Sequence, residues 1–470
     1  MNDSSAVPEN WQTKIKSRSM GMKLIVVCGL ALVMTIPALF VGGLVEDRTN
    51  RAADVIKEIS GHVGGPQTFL GPTLAIPYNI PPQSPNDFAK HGMYLVFPAQ
   101  ASAVLKTATE ERRRSLFKVP VFQADLKLDA TFDLTGVPAS APQGAELDWS
   151  RAEIVVGVSD ARGALADATL TAEGKTATLA PAEVAQGLAI GEDQTQRIKL
   201  TLFGAKVDAV AKPNTQFKVT SVLRFSGAQR IAVLAYGKTT HLAVQGDWPS
   251  PGFDGGFLPV SRSISSSGFT AEWSVPFIAR GVRAEGPGDT ANGLEATALG
   301  VSFIEVADPY QSVNRSLKYM ALFLGLLFLS YFVFEVTTGK RVHPAQYVLV
   351  GMAQIIFYLL LLSLAERVGF DFGFLLAGTA TVVLLSANAA WVFASRLQGV
   401  RALGIFTLLY VLIYLLLRLE DNALLVGAIA SFLAVAAAMY FTRGIDWYSS
   451  LPVRTAGGPQ SSMQDRKDMA

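Results

Sequence analysis

The chain has 470 residues, of which 50% are hydrophobic and 17% are charged, and its formal net charge is +2. So small a net charge gives no electrostatic reason to expect a nucleic acid partner. The single cysteine, Cys28, excludes an intramolecular disulfide framework, and the four histidines are not spaced like metal ligands. We therefore expect no metal site and no cofactor.

The first apolar run, Leu24–Val45, follows the basic residues Lys14, Lys16, Arg18 and Lys23. It is longer than the apolar region of a typical signal peptide, and no Ala-x-Ala cleavage site follows it. We predict a basic cytoplasmic tail at residues 1–23 and an uncleaved signal anchor at residues 24–45.

Residues 46–313 have the pattern of a β-rich domain. Apolar and polar residues alternate in Leu126–Leu134, in Ile198–Leu202 and in Phe217–Phe225, where Val222 interrupts the pattern. A period of two places one side of a strand on a core and the other in water. We expect an antiparallel sandwich or two packed β subdomains, preceded by a short helix around Arg51–Ile59.

The remaining apolar sequence predicts five further membrane spans, because about 20 mostly apolar residues cross a hydrocarbon core of about 30 Å. The predicted spans are 316–336, 345–364, 372–394, 402–417 and 423–441, with a polar tail at 442–470. The predicted fold class is a membrane α-helical bundle of six spans, one plus five, with a large inserted all-β, sandwich-like domain.

Basic residues in the short joints predict the orientation of the chain. The joints with Lys340 and Arg341 and with Arg396 and Arg401 alternate with joints that contain acidic residues. Short loops rich in Lys and Arg stay in the cytoplasm. With six spans, all basic joints and both termini lie in the cytoplasm and residues 46–313 lie in the periplasm, whereas five or seven spans break the alternation.

Three patterns resemble chemical motifs without meeting their requirements. The triplets Gly174–Thr176 and Gly237–Thr239 lack the earlier glycine of a phosphate-binding loop, having Thr169 and Ala232 there, so we interpret both as hairpin turns. The run Arg112–Arg114 is typical of a solvated loop, with binding to lipid headgroups or an anionic polymer as the alternative. No nucleophile–base pair is evident, and we predict no catalytic residue.

Ionisable and polar residues at the rims of the spans are the remaining candidates for function: Glu335, His343, Gln346 and Glu366. Charged groups in lipid are costly, so such residues are paired or functional. We favour a carboxylate at Glu335 paired to Lys340 or Arg341 over a relay role. His343-Pro344 is expected to begin the third span. Gln354, Thr379 and Asn388 near the midplane are explained by hydrogen bonds between helices.

Several segments in fixed order, covering nearly the whole chain, are similar to the CreD family of inner-membrane proteins. They are Gly65–Gln67, Leu70–Pro72, Leu74–Pro77, Ser159–Gly163, Trp248–Pro251, Phe257–Pro259, Ser267–Trp273, Asn314–Tyr319, Phe332–Glu335, His343–Gly351, Phe357–Glu366 and Thr442–Tyr448. Where the family commonly has Glu-His after the third span, this chain has Glu366-Arg367, so a role for that histidine is absent here.

The resemblance implies a Gram-negative inner-membrane protein with a periplasmic domain. It also implies a link to a two-component regulon that responds to the carbon source, to cell envelope integrity, and to tolerance of colicin or β-lactam stress. It implies no catalytic residue set. We therefore expect a non-enzymatic envelope protein whose partners are membrane lipid and a periplasmic protein or envelope polymer. The alternative is a transporter or lipid-handling protein that uses Glu335, His343 and Glu366; the oligomeric state stays open.

Overall fold

The computed structural model describes residues 20–82, 88–114, 117–184, 189–190, 198–303, 309–418 and 423–443. The chain divides into a helical unit, from residues 1–49 and 307–470, and a β unit, from residues 50–306. The predicted tails fall largely outside the described residues, as does most of the segment Thr442–Tyr448, which carries part of the family resemblance.

The helices account for the apolar blocks of the sequence. Their bounds are α1 Met20–Val33, α2 Thr35–Val63, α3 Val137–Ser140, α4 Phe277–Arg280, α5 Pro309–Lys318, α6 Met320–Thr338, α7 Pro344–Val368, α8 Phe370–Val392, α9 Arg396–Arg418 and α10 Ala423–Thr442. In the described part of the chain, five helical stretches are long and apolar enough to cross a membrane, one near the N-terminus and four later. α10 is a further apolar helix, at the sixth predicted span.

The N-terminal helical stretch is interrupted once, at Met34 between α1 and α2. Pro37 lies in the first turn of α2, where its missing N–H cannot donate to the preceding turn. The short helix predicted around Arg51–Ile59 is not separate, because α2 continues without a break to Val63. Ile56 and Ile59 pack there against Val119, Val121 and Ala228 of the β unit.

The β unit contains twenty strands among the described residues. They are β1 Gln67–Ile80, β2 Lys90–Val96, β3 Gln100–Arg114, β4 Phe117–Asp133, β5 Glu146–Leu147, β6 Glu153–Val158, β7 Thr169–Ala172, β8 Lys175–Thr178, β9 Ala180–Pro181, β10 Ala189–Ile190, β11 Ile198–Lys199, β12 Thr201–Lys206, β13 Gln216–Ala228, β14 Arg230–Leu234, β15 Thr239–Gly246, β16 Pro251–Gly255, β17 Ser261–Ser265, β18 Gly268–Val275, β19 Glu285–Pro287 and β20 Ala298–Phe303.

Two large sheets enclose one core. The ten-stranded sheet has the order β16-β20-β14-β1-β6-β12-β9, with β2 and β5 also on β1 and β19 on β2, and the eight-stranded sheet has the order β17-β18-β15-β3-β4-β13-β7-β8. Aromatic contacts join the sheets, with Phe69 against Phe225 at 5.4 Å and Phe122 against Phe303 at 5.1 Å between ring centroids. The predicted fold class, a membrane helical part plus a large sandwich-like β domain, is confirmed.

Some local expectations were wrong. The sandwich is not purely antiparallel, since β1–β14 and β3–β15 are parallel pairs. Arg112–Arg114 is not a loop but the exposed end of β3, paired with β4 and bonded to neighbouring carboxylates including Glu58. Gly174 lies in the β7–β8 hairpin as predicted, with φ of 81°. Gly237 instead lies in a crossover, because β14 and β15 belong to different sheets.

Candidate functional site

Glu335 lies in the last turn of α6 with its side chain fully buried. After α6, Gly339 adopts a left-handed conformation, with φ of 66°, that turns the chain back toward the helix. This turn lets the Val342 N–H donate to Glu335 Oε1 at 2.8 Å, while the Tyr347 hydroxyl donates to Oε2 at 3.0 Å. The carboxylate therefore has a donor on each oxygen before any charged partner is counted.

The charged partner of Glu335 is Lys23 of α1. The same ammonium donates to the Val342 carbonyl at 2.9 Å, so it joins α1 to the turn between α6 and α7. The predicted pairing with Lys340 is wrong, because that ammonium donates to the Phe393 carbonyl at the end of α8. We name Lys23, Glu335, Val342 and Tyr347 the Glu335 cluster.

His343 caps the N-terminus of α7. Its Nδ1 accepts a hydrogen bond from the Ala345 N–H at 3.2 Å, and Pro344 follows at the first helical position. The side chain is exposed. The prediction that His343-Pro344 begins this helix is confirmed, and the cap accounts for the position of the imidazole without a relay.

Gln346 belongs to a hydrogen-bond network that joins three helices. Its Oε1 accepts from Asn388 of α8 at 3.4 Å, and Asn388 Oδ1 accepts from Tyr331 of α6 at 3.1 Å. Tyr331 also contacts the Leu385 carbonyl at 3.0 Å. About two turns further along α7, Gln354 accepts from Tyr410 of α9 at 2.6 Å. Hydrogen bonding between helices is thus confirmed for Gln354 and Asn388.

Glu366 lies near the other end of α7 and is mostly buried. It accepts a hydrogen bond from Tyr310 of α5 at 3.1 Å, and Arg48 of α2 lies 3.9 Å away. We name Arg48, Tyr310 and Glu366 the Glu366 cluster. From Tyr347 to Glu366, at about 1.5 Å per residue, α7 rises about 28 Å, close to the thickness of the hydrocarbon core. The structure therefore does not bring Glu335 and Glu366 together.

The buried face of α7 contains polar groups between these two clusters. Gln354 and Tyr358 are both almost fully buried. Within the described ranges, the Gln354 Nε2 and the Tyr358 hydroxyl have no hydrogen-bond partner. Leu361 and Leu362, buried on the same helix, separate Tyr358 from Glu366. The row of buried polar side chains on α7 therefore ends at Tyr358, before the Glu366 cluster.

The eight-stranded sheet has a solvent-facing polar surface on the β unit. Its strand register places Thr220, Asp129, Ser102, His241 and Ser274 side by side on five adjacent strands. The Thr220 hydroxyl donates to Asp129 at 2.6 Å. A shallow groove of about 470 Å³ crosses these strands. We name it the sheet groove; its lining is Gln100, Ala101, Ser102, Asp129, Ala130, Thr131, Lys218, Val219, Thr220, Thr239 and His241.

The sheet groove and the other three residues of the Glu335 cluster, Lys23, Val342 and Tyr347, are not predicted by the sequence. His241 has no partner at a metal-ligand spacing in the sequence, and Lys23 lies before the first apolar run, where a basic residue predicts only orientation. A usable signal exists for the groove, since polar residues at alternate positions of β4 and β13 mark one solvent face. The register between strands, which the sequence does not give, is what aligns them.

Two of the segments that carry the family resemblance meet in the β unit. The Ser159 hydroxyl donates to the Pro66 carbonyl at 3.1 Å, and the Gln67 amide donates to the Asp160 carbonyl at 3.0 Å. The guanidinium of Arg162 hydrogen-bonds Asp160 and lowers the pKa of that carboxyl. A Cβ at Gly163 would lie 2.3 Å from the Ser226 carbonyl oxygen. Packing and hydrogen bonding within the fold therefore account for the residue types found in these two segments.

Comparison with known proteins supports the resemblance. The family model described as "Inner membrane protein CreD" matches residues 19–448. The chain belongs to the CreD family. It is 30% identical over 443 residues to "Inner membrane protein CreD" of Escherichia coli (strain K12), covering 90% of this chain and 93% of that relative. The family and the apolar helices together make this chain a multi-pass inner-membrane protein.

Proposed function

We propose that this CreD-family chain is a non-enzymatic protein of envelope integrity and stress tolerance. In this proposal the helical unit anchors the chain in the inner membrane and the β unit, in the periplasm, binds an envelope polymer or a partner protein. The observation that carries the proposal is the sheet groove, a recessed polar surface on a domain otherwise built from a packed apolar core.

The chemistry of the sheet groove indicates the class of ligand. Hydroxyls of Ser102 and Thr220, the Gln100 amide and the Asp129 carboxylate supply both donors and acceptors, and Lys218 and His241 add basic groups. Apart from His241, the lining includes no aromatic ring on which a sugar face could stack. Such a surface suits a ligand recognised through many hydrogen bonds, such as a peptide-bearing or hydroxyl-rich envelope polymer.

The experiment uses the full-length chain in cells that lack their own copy. A variant with Asp129→Asn, Thr220→Val and His241→Ala removes the central polar groups of the sheet groove. We expect it to accumulate normally and yet fail to restore envelope integrity, measured as leakage of a periplasmic enzyme. The matched control is Gln245→Ala, on the same face of β15 but outside the groove, which should restore integrity fully.

A binding measurement accompanies the cellular one. Purified full-length protein is mixed with soluble peptidoglycan fragments or with a periplasmic protein extract. The wild-type chain and the Gln245→Ala control should retain a ligand that the triple variant loses. Full envelope integrity in cells with the triple variant would contradict the proposal.

A second candidate function, transport or lipid handling through rim ionisable residues, is favoured by one observation. The buried face of α7 carries Gln354 and Tyr358 between the Glu335 and Glu366 clusters. Transporters place such groups near the midplane of the membrane. This candidate requires Glu335 and Glu366 to exchange protons, which Glu335→Gln and Glu366→Gln would each prevent.

A further inference from the structure

A groove runs between α8 and α9 on an exposed apolar side of the helical unit. Its volume is about 520 Å³, within the usual range of about 300–1,000 Å³ for small-molecule sites. Apolar side chains and two threonines form most of its surface. We name it the α8–α9 groove; its lining is Asp371, Phe372, Phe374, Leu375, Gly378, Thr379, Val382, Val383, Leu403, Thr407, Tyr410, Val411 and Tyr414.

The length of the α8–α9 groove matches one leaflet of a bilayer. From Asp371 to Val383 along α8 the axial rise is about 18 Å, and from Leu403 to Tyr414 along α9 it is about 16 Å, at about 1.5 Å per residue. Half of a hydrocarbon core of about 30 Å is about 15 Å. Both helices have the length and composition of membrane spans. The substance available to fill the groove is therefore a lipid acyl chain.

Small residues give the groove its depth. Gly378 is buried in the floor, and a Cβ there would lie 3.4 Å from the ring of Tyr410. The rims are exposed leucines and valines, including Leu375 and Val411. Thr379 and Thr407 are also exposed, one on each wall, so a larger side chain at either position would enter the groove.

One end of the groove is polar and carries both signs of charge. The Arg418 guanidinium forms an ion pair with the Asp371 carboxylate, and each side chain is about half exposed. The Tyr414 hydroxyl donates to Asp371 at 3.1 Å, and Arg418 lies 5.8 Å from the centre of that tyrosine ring. A phosphate could accept hydrogen bonds from the outer N–H groups of Arg418 while an ammonium contacts Asp371. This arrangement complements a zwitterionic headgroup.

We propose that the α8–α9 groove binds one acyl chain of a zwitterionic phospholipid whose headgroup contacts Asp371 and Arg418. The proposal concerns the helical unit alone, so it goes beyond the function proposed for the sheet groove. Bound lipid would fill the gap between two helices that otherwise leave apolar surface without a protein partner in the described part of the chain.

The test is native mass spectrometry of the full-length protein in mild detergent, after addition of phosphatidylethanolamine or phosphatidylglycerol with identical chains. We expect the wild type to retain one phosphatidylethanolamine. Thr379→Trp and Thr407→Trp should weaken its binding at least tenfold. Leu408→Trp, on the exposed side of α9 outside the groove, is the matched control and should bind as the wild type does.

Substitutions at the polar end of the α8–α9 groove distinguish the contribution of the lipid headgroup to binding from that of the acyl chain. Arg418→Gln should weaken binding of both phospholipids at least fivefold, whereas Asp371→Asn should abolish the preference for phosphatidylethanolamine. Thermal unfolding of every variant verifies that the bundle remains folded. Equal retention by the wild type and both tryptophan variants would overturn the proposal, as would loss of all lipid from the wild type. A wild-type preference for phosphatidylglycerol would overturn the headgroup assignment.

Discussion

Glu335 is a buried carboxylate, and both of its oxygens accept hydrogen bonds from donors in the helical unit. Lys23, Tyr347 and the Val342 N–H all donate to it, and these donors come from three separate segments of the helical unit. A charge without water is stable only when it is paired and hydrogen-bonded. The arrangement therefore favours a role in holding α1 to the turn between α6 and α7.

Glu335→Gln should lower the free energy of unfolding by about 3 kcal/mol, because the Lys23 ammonium loses its charged partner in a mostly buried site. Thermal unfolding of the purified chain in detergent measures the loss. Glu366→Gln should cost less than 1 kcal/mol, since Arg48 is 3.9 Å away and its side chain is 37% exposed.

The paired change Lys23→Met with Glu335→Met is the control for this prediction. This double variant removes both charges together. Its loss in free energy of unfolding should be smaller than the sum of the losses caused by the two single substitutions. Proton exchange predicts a different result: Glu335→Gln and Glu366→Gln would keep wild-type stability and protein level while the cells lose envelope integrity. That outcome would favour the transport candidate.

Arg280 is the corresponding buried cation in the β unit. Its Nε donates to the Ala235 carbonyl at 2.7 Å, and its guanidinium lies 4.3 Å from the centre of the Phe97 ring. Two further carbonyls, of Val282 and Arg283, accept from Nη1 at 3.4 Å and 3.3 Å. Burial lowers the pKa of Arg280 to about 10. The site thus uses an arginine as a multiple donor at the cost of desolvating its charge.

Arg280→Met should destabilise the β unit by about 2 kcal/mol. Removing the charge recovers about 3 kcal/mol of desolvation, but three carbonyls lose their donor at about 1–3 kcal/mol each. Thermal unfolding measures the change, with exposed Arg262→Met as a control expected to shift stability by less than 0.5 kcal/mol, about the usual surface effect. A Tm for Arg280→Met equal to or above that of the wild type would contradict the assignment.

The same pKa predicts how Arg280 affects stability as pH changes. Burial disfavours the charged form in the folded chain, but a guanidinium stays protonated at neutral pH in both the folded and the unfolded chain, so neither state binds more protons there. The stability contribution of this residue is therefore constant at neutral pH. Between pH 6 and 8 the wild type and Arg280→Met should show parallel stability profiles.

At the scale of elements, Tyr236 connects the two sheets. It follows β14 of the ten-stranded sheet, and its single O–H is shared between the Ser102 and Asp129 carbonyls of the eight-stranded sheet, each 2.9 Å from the hydroxyl oxygen. Burial raises the pKa of this hydroxyl. The tyrosine ring fits only because Gly71 of β1 has no side chain, since a Cβ there would lie 2.5 Å from the ring.

Gly71→Ala should lower the free energy of unfolding by about 1–3 kcal/mol, the usual cost of overpacking a core. The ring of Tyr236 must move, which stretches both hydrogen bonds across the sandwich. Chemical denaturation of the full-length chain measures the effect. Gly61→Ala provides the control, because a Cβ at that helical position meets nothing within 4 Å and should increase stability by about 0.5–1 kcal/mol. Equal stability of the two variants would show that Tyr236 does not bridge the sheets tightly.

For the whole molecule, the orientation in the membrane is predicted by the basic joints. In a Cys28→Ser background, a membrane-impermeant maleimide should label Ser263→Cys of β17 in intact spheroplasts. Arg396→Cys, at the start of α9, should be labelled only after permeabilisation. Both positions are exposed, so access to solvent does not limit the reaction. The reverse pattern would mean that the β unit faces the cytoplasm.

The alternation of apolar and polar residues predicted the β-rich domain well, even where it looked imperfect. Val222 interrupts the sequence pattern of β13, yet it is 48% exposed while the polar neighbour Ser221 is fully buried. The backbone keeps its period of two and accepts a valine in water and a serine in the core. The Ser221 hydroxyl donates to the Thr169 carbonyl at 3.0 Å, which stabilises it there.

By itself, the sequence determined the class of this protein, because span length, the period of two and membership of the CreD family are all encoded in local order. Only the tertiary structure decided which residues meet. Lys23 and Glu335 are distant in sequence, and helix packing brings them into contact. Asp129 and His241 are also distant in sequence, and strand register places both in the sheet groove, with Ser102 between them. The local pattern sets neither helix packing nor strand register. A strand shifted by two residues, or a helix shifted along its axis by one turn, presents nearly the same periodicity of apolar residues to its neighbours.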